Sequence, residues 1–202
     1  MKLVYKGKFV NEDSLPKGIL PESAVKFKEP GTLAKLTLYS SIFVLPALLL
    51  VCLFMAVSSL LHGGSSLVIR SGHLLIGFLL SALTLLPHEL LHAVCFGKDA
   101  EVELYIAPKQ LAAFVISTRP ISKGRFIFLS LLPNLVFGWI PLAIWALLPY
   151  LGAFSDVLFI FSVMSVMLGV GDYLNVFNAA RQMPKGSMQQ LSGFNSYWFM
   201  KE

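Results

Sequence analysis

One stretch of the sequence, His88-Glu89-Leu90-Leu91-His92, has residue types and a spacing that could bind and use a metal ion. Histidines four residues apart lie on one face of an α-helix, so both imidazoles can reach the same ion. Zinc accepts such nitrogen ligands, and a catalytic zinc keeps one position open for water. The glutamate beside the first histidine can act as general base toward that water. The stretch therefore predicts a catalytic zinc centre with His88 and His92 as ligands and Glu89 as the base.

A third ligand has to come from elsewhere in the chain, because a catalytic zinc site takes three protein ligands. His73 comes fifteen residues before His88, which is roughly 22 Å along a helix and out of reach. His62 and Asp156 are expected at the opposite side of a membrane from the motif. Asp172 remains, and we predict it as the third ligand. The alternative is a carboxyl group that hydrogen-bonds a neighbouring helix or is protonated where it lies.

The position of each residue along its apolar run is an independent reason to choose Asp172. His92 and His88 lie six and ten residues before Lys98, hence about 9 and 15 Å from that end of the run. Asp172 lies nine residues before Arg181, which is about 13.5 Å from the same side of the membrane. Since the two runs cross in opposite directions, the three side chains are expected at one level.

The elements that must position these residues are apolar helices. The chain of 202 residues is 56% hydrophobic and 13% charged, with a mean hydropathy of +0.73, whereas soluble domains have about 25% charged residues. Four apolar runs, roughly 36–61, 67–96, 126–151 and 154–180, each exceed the ~20 residues that cross a bilayer as a helix. The prediction is an all-α membrane protein with four transmembrane helices and a short β-hairpin-like cytoplasmic loop between helices 2 and 3.

The predicted parts are a cytoplasmic N-terminal segment 1–35, a four-helix membrane-embedded metallopeptidase domain 36–180 and a cytoplasmic tail 181–202. Fifteen of the sixteen Lys and Arg residues lie in 1–35, in 97–125 or after residue 180. By the positive-inside rule these parts are cytoplasmic. We therefore expect a multi-pass protein of the cell membrane with both termini in the cytoplasm and its active site toward the cytoplasmic side.

The net charge of +5 does not indicate a nucleic-acid partner, because the basic residues flank apolar runs instead of forming one patch. Cys52 and Cys95 both lie inside apolar runs, so neither a disulfide framework nor a thiolate metal site is expected. The tail carries Tyr197 and Trp198, a pairing typical of the membrane interface.

Between the second and third runs the sequence pattern changes. Val102, Leu104 and Ile106 alternate with polar or charged residues, the period of two that is typical of a strand. The stretch 111–118 could pair back as a hairpin. One interpretation is an exposed strand edge that holds a peptide substrate in extended form. The other is a small ordered loop at the membrane surface.

Two asparagines are candidates for binding the substrate or stabilising the oxyanion. Asn134 follows Pro133 in the third run, where a proline frees a backbone carbonyl and bends the helix. Asn175 lies one turn after Asp172 on the same helix face. For both residues, packing between helices is the alternative.

These motifs together resemble a known group of enzymes. His-Glu-Leu-Leu-His-Ala in the second run, the strand-like loop, Pro133-Asn134 and Gly171-Asp172 resemble the site-2-protease-like membrane metallopeptidases. Over about residues 1–190 the chain is similar to a family of small bacterial four-span proteins labelled "putative zincin peptidases", a domain of unknown function.

The resemblance implies a bacterial membrane enzyme with zinc on His88, His92 and Asp172 and with Glu89 as catalytic base. It also implies cleavage of peptide bonds within or next to the bilayer. Site-2 proteases usually carry Leu-Asp-Gly at the third ligand, whereas no glycine follows Asp172 here.

The sequence thus predicts a zinc-dependent intramembrane or membrane-proximal peptidase. Its cofactor would be Zn²⁺, and its partners membrane lipid and a peptide or transmembrane protein substrate; the oligomeric state is left open. One alternative is a non-catalytic membrane protein that uses the metal site for structure or sensing. A second alternative is a small transporter subunit, for which spans without inverted repeats are weak support.

Overall fold

The computed structural model describes residues 1–64 and 70–201. Residues 67–69 of the second predicted run and residue 202 of the predicted tail lie outside the described residues. Within the described part the helices are α1 (Leu33–Ser40), α2 (Val44–His62), α3 (Ser71–Leu83), α4 (Leu85–Cys95), α5 (Lys123–Asn134), α6 (Ile140–Leu147), α7 (Ala153–Leu168) and α8 (Val170–Gln182). The strands are β1 (Lys2–Lys8), β2 (Val25–Lys26), β3 (Glu101–Ala107), β4 (Ala112–Ile116), β5 (Ile121–Ser122), β6 (Ser187–Ser192) and β7 (Asn195–Met200).

The prediction of an all-α fold is wrong, because the strands form two sheets and account for 18% of the residues. One sheet has the order β1-β3-β4 and the other the order β2-β7-β6-β5. The segments before the first apolar run and after the last one supply four of these strands. Strands β1 and β2 pair with β3 and β7, which lie far away in the chain, and no local periodicity reveals such a pairing.

The three-stranded sheet contains the predicted hairpin together with a strand that was not predicted. Strands β3 and β4 pair antiparallel, with Glu103 opposite Ile116, so the hairpin is present. Strand β1 runs parallel to β3, with Lys2 opposite Glu101. Two ion pairs join β1 to β3, Lys2–Glu101 at 3.0 Å and Lys6–Glu103 at 2.9 Å. Because these charges are partly exposed, each ion pair contributes at most about 1 kcal/mol to stability.

The four-stranded sheet is built around the hairpin of β6 and β7, with β2 added beside β7 and β5 beside β6. The tail is therefore a folded part of a sheet, and its Trp198 lies opposite Val25 of β2. Buried apolar side chains from this part of the chain form one core cluster, which includes Phe27, Phe96, Val102, Ile121, Phe126 and Met183.

The described residues contain three helices that are long and apolar enough to cross a membrane: Leu33–His62, Ser71–Cys95 and Lys123–Leu147. A fourth is added if α7 and α8, which are interrupted at Gly169, are taken as one broken span. Many leucines on these helices are exposed, such as Leu49 at 64% and Leu60 at 85%. Exposed apolar surface on this scale indicates an apolar surrounding, which weakly supports association with a membrane.

The chain divides into two compact units. The first contains Met1–Ser40, Glu89–Leu132 and Gly171–Glu202, and therefore holds both sheets. The second contains Ser41–His88 and Pro133–Val170, and the elements that the structure describes in it are helices. Pro133 lies inside the third long helix, and a π-helical turn, Leu135–Trp139, follows it. Proline removes a helical hydrogen bond, and a local π-helical adjustment is one way to satisfy the freed backbone groups.

Close helix packing in the second unit depends on glycines. A Cβ on Gly77 would lie 2.7 Å from the side chain of Ile160, and one on Gly138 would lie 2.6 Å from that of Val166. A Cβ on Gly169 would overlap the amide group of the buried Asn134. Small residues let helices approach this closely, which is a common feature of membrane helix packing.

We expect Gly169→Ala to lower the free energy of unfolding by about 1–3 kcal/mol, because the new methyl group displaces the Asn134 amide from a packed position. Gly72→Ala is the matched control, since nothing lies within 4 Å of its Cβ position. The control should be neutral or stabilising by about 0.5–1 kcal/mol, the usual gain of alanine over glycine in a helix. Thermal unfolding of the two variants in detergent measures the difference. Equal stabilities would contradict the close contact.

Candidate metal centre

Helix α4 carries His88, Glu89 and His92. The helix begins with Pro87 in its first turn, where the missing N–H removes no helical bond. The backbone N–H of His88 donates to the carbonyl of Thr84 at 2.8 Å. The helical path places His88 and His92 one turn apart on the same face.

His92 is held in an orientation that suits a metal ligand. Its Nδ1 lies 2.8 Å from the backbone carbonyl oxygen of Leu129. A carbonyl oxygen only accepts, so Nδ1 carries the hydrogen and donates it. The other ring nitrogen, Nε2, then presents its lone pair. Metal-bound histidines commonly show this arrangement, because the second hydrogen bond fixes the tautomer and the ring orientation.

Asp172, on α8, faces that lone pair. Its Oδ1 lies 3.2 Å from Nε2 of His92, and both side chains are almost buried, with 11% and 8% of their surfaces exposed. Two acceptor atoms at this distance repel each other unless a proton or a metal cation lies between them. The contact therefore indicates a site that takes a positive charge.

The three predicted ligands are brought together. One ligand atom each from His88, His92 and Asp172 lies within 4.8 Å of the other two. Two imidazole nitrogens and one carboxylate oxygen are a donor set that zinc uses in catalytic sites, where water takes the fourth position. The residues present therefore fit zinc, and binding of the ion itself stays a prediction.

Glu89 is buried and positioned by a strand. Only 8% of its surface is exposed, and its Oε2 accepts a hydrogen bond from the backbone N–H of Val115 at 3.0 Å. Val115 belongs to β4, which is an edge strand of the three-stranded sheet that the described residues form. A buried carboxylate needs such partners, since leaving it unpaired costs several kcal/mol. The contact places the edge of β4 beside the predicted base.

The two backbone groups at this centre, the Leu129 carbonyl and the Val115 N–H, were not predicted. Almost every residue carries a backbone N–H and a carbonyl group, so no side-chain pattern could have identified them. The only sequence signal was the alternating pattern around Val102, which predicted a strand in this region without showing which helix it contacts.

The asparagines take different positions. Asn175 is partly buried on α8, one turn after Asp172. Asn134 is buried in the second unit, next to Gly169. Their roles toward a substrate stay predictions.

Two residues that the sequence argument set aside as ligands contact each other instead. Nδ1 of His73 lies 2.8 Å from Oδ2 of Asp156, and the hydroxyl of Tyr150 donates to the same oxygen at 3.3 Å. Asp156 is completely buried in the second unit, and both of these contacts are made to its Oδ2.

A family model described as "Putative zincin peptidase" matches residues 80–188, a range that includes His88, Glu89, His92 and Asp172. No curated protein and no solved structure matches the chain.

Proposed function

The chain belongs to the family described as "Putative zincin peptidase", and on that premise we propose that it is a zinc-dependent membrane peptidase of the site-2-protease-like kind. It hydrolyses peptide bonds within or beside the bilayer. The observation that carries the proposal is the convergence of His88, His92 and Asp172 within 4.8 Å, with Glu89 next to His88 on the same helix.

His88, His92 and Asp172 would hold the zinc ion. When bound, zinc lowers the pKa of a water molecule and polarises the scissile carbonyl group. The Leu129 carbonyl keeps the lone pair of His92 Nε2 directed at the site, because it occupies the Nδ1 hydrogen.

Glu89 is the general base. Its carboxylate takes a proton from the attacking water and then delivers it to the leaving amine, so the same group serves both halves of the reaction. The Val115 N–H occupies Oε2 and holds the carboxylate in one orientation. The other oxygen, Oε1, is then the one that carries the proton.

The edge of β4 supports an extended peptide as the substrate. In an antiparallel pair, alternate residues direct their backbone groups away from the partner strand. The backbone N–H of Val115 donates to Glu89 and not to β3. Ala113 lies two residues earlier on β4, so its backbone groups face the same side as those of Val115. An extended peptide can pair with such an edge next to the base. A helical substrate has to unwind first, because helical hydrogen bonds shield its carbonyl groups.

The membrane placement rests on the apolar helices and the distribution of charge. Fifteen of the sixteen basic residues lie in three segments, 1–35, 97–125 and the residues after 180. These three segments are predicted to lie on the same side of the membrane. We place that side, with both termini and the metal centre, in the cytoplasm by the positive-inside rule.

Removal of the metal tests the function. Purified protein in liposomes is incubated with a mixture of fluorogenic peptides, before and after treatment with a zinc chelator. We expect hydrolysis to fall to background and to return when zinc is added back, while gel filtration shows an unchanged folded protein. Hydrolysis that survives complete loss of zinc would contradict the proposal. Unfolding on chelation, with no hydrolysis in the zinc-loaded protein, would support a structural metal instead.

A further inference from the structure

A second site candidate lies in the first unit, in a cleft of about 920 Å³. The segment from Val25 to Gly31, the start of α1, one side of α8 and Trp198 of β7 line it. Cavities of this size hold ligands of several hundred daltons.

The cleft is strongly basic. Four cations line it, Lys26, Lys28, Lys35 and Arg181, against a single carboxyl group, that of Glu29. All four cationic residues are exposed, and within residues 1–64 and 70–201 none of them forms an ion pair with a carboxylate. Cations lining one concave surface raise the local concentration of anions.

Glu29 opposes this charge only weakly. It accepts a hydrogen bond from the backbone N–H of Ser196. Burial raises the pKa of Glu29 to about 7, although the hydrogen bond to Ser196 and the charge of Lys26 act in the opposite direction. At neutral pH a substantial fraction of this carboxyl group is therefore uncharged.

The remaining walls are apolar or aromatic. Leu174, Phe177 and Trp198 line the cleft, and the guanidinium of Arg181 lies 5.9 Å from the centre of the Phe177 ring. Tyr39 also lines it and is 62% exposed. An apolar surface directly beside a basic one suits an amphipathic anion better than a small inorganic ion.

The cleft lies where the first candidate span begins. Lys35 and Tyr39 are on α1, which opens the long apolar helix Leu33–His62. Leu38 on the same helix is 69% exposed. Lysines and aromatic residues at the end of a span lie at the level of lipid headgroups.

We propose that this cleft binds the phosphate headgroup of an anionic phospholipid, with the acyl chains lying along the exposed apolar side of α1. The proposal rests on the membrane placement given above and not on peptidase activity. The charge favours an anionic over a zwitterionic lipid, and the apolar walls favour a lipid over free phosphate.

Binding is measured by native mass spectrometry of the full chain in a neutral detergent, titrated with phosphatidylglycerol. Removing two cations with Lys35→Gln/Arg181→Gln should weaken binding about thirtyfold, from the usual effect of each basic residue near an anionic lipid. The matched control is Lys8→Gln/Lys17→Gln, which removes two exposed lysines outside the cleft and should leave the affinity unchanged. If the first double variant does not fold, Lys26→Gln/Lys28→Gln replaces it with the same expected direction.

Three outcomes would overturn the proposal. Equal weakening by the control variant would show a general charge effect, and equal affinity for phosphatidylcholine would show that the headgroup charge is not recognised. Complete displacement of the lipid by equimolar inorganic phosphate or by an acidic peptide would assign the cleft to those ligands. Because no arm measures hydrolysis, a failed lipid test leaves the peptidase proposal standing, and a failed peptidase test leaves this one standing.

Discussion

Glu89→Gln is expected to lower peptide hydrolysis by about 10²–10⁴-fold, the usual contribution of a general base. The amide cannot accept a proton from water at neutral pH, yet its oxygen can still accept the Val115 N–H that holds the glutamate now. The side chain therefore keeps its place, and the loss reports proton transfer alone. Initial rates on the fluorogenic peptides, with the zinc content of the same samples, provide the measurement.

The control for this variant is Glu22→Gln, which makes the same chemical change at an exposed position of the first unit. It should retain the full rate, and both variants should retain about one zinc per chain. A Glu89→Gln protein that hydrolyses peptides at the original rate would exclude Glu89 as the base. It would then favour a metal site that serves structure or sensing.

Asp172→Ala is expected to weaken zinc binding by more than about 100-fold, because loss of a direct ligand should exceed the 10–100-fold typical of losing an outer-shell partner. The remaining pair, His88 and His92, leaves the ion with two protein ligands, fewer than a catalytic zinc site uses. Metal content by mass spectrometry after purification without chelators, followed by a competition titration, measures the change.

Asp99→Ala is the matched control, since Asp99 is exposed and outside the ligand cluster. Unchanged zinc content in Asp172→Ala would mean that another residue completes the centre. Thermal unfolding of the metal-free Asp172→Ala and Asp99→Ala proteins shows whether a loss of zinc reflects the missing ligand or a misfolded protein.

The grouping of the three candidate ligands was more predictable than the fold, for a physical reason. His88 and His92 are related by one helical turn, so their spacing alone determines that they face one way. Asp172 was chosen because its expected depth in a membrane matches that of the two histidines. The depths were obtained by counting residues along each helix at about 1.5 Å per residue. Its contact with His92 at 3.2 Å agrees with that argument. Both inferences needed only the geometry of an α-helix and the expectation that the helices cross a membrane.

The sheets needed information that local patterns do not contain. Strand β3 was recognised by its alternation, but its neighbour β1 looked like a lysine-rich polar segment because three of its seven residues are lysines. The pairing of Trp198 with Val25 joins residues more than 170 positions apart, and from the sequence Trp198 was interpreted as a residue of the membrane interface. Strand formation depends strongly on such distant partners, and composition does not reveal them. The composition alone therefore favoured an all-α fold.

The parallel pairing of β1 with β3 has a consequence for biosynthesis. Lys2 is made ninety-nine residues before its partner Glu101, so at about 5–20 residues per second it waits roughly 5 to 20 s for that partner. During this time the translating ribosome delivers two long apolar helices, and β1 is an open strand edge that invites aggregation. The lysines of β1 counteract that hazard while the strand is alone. After β3 arrives, Lys2 and Lys6 change role and bind Glu101 and Glu103.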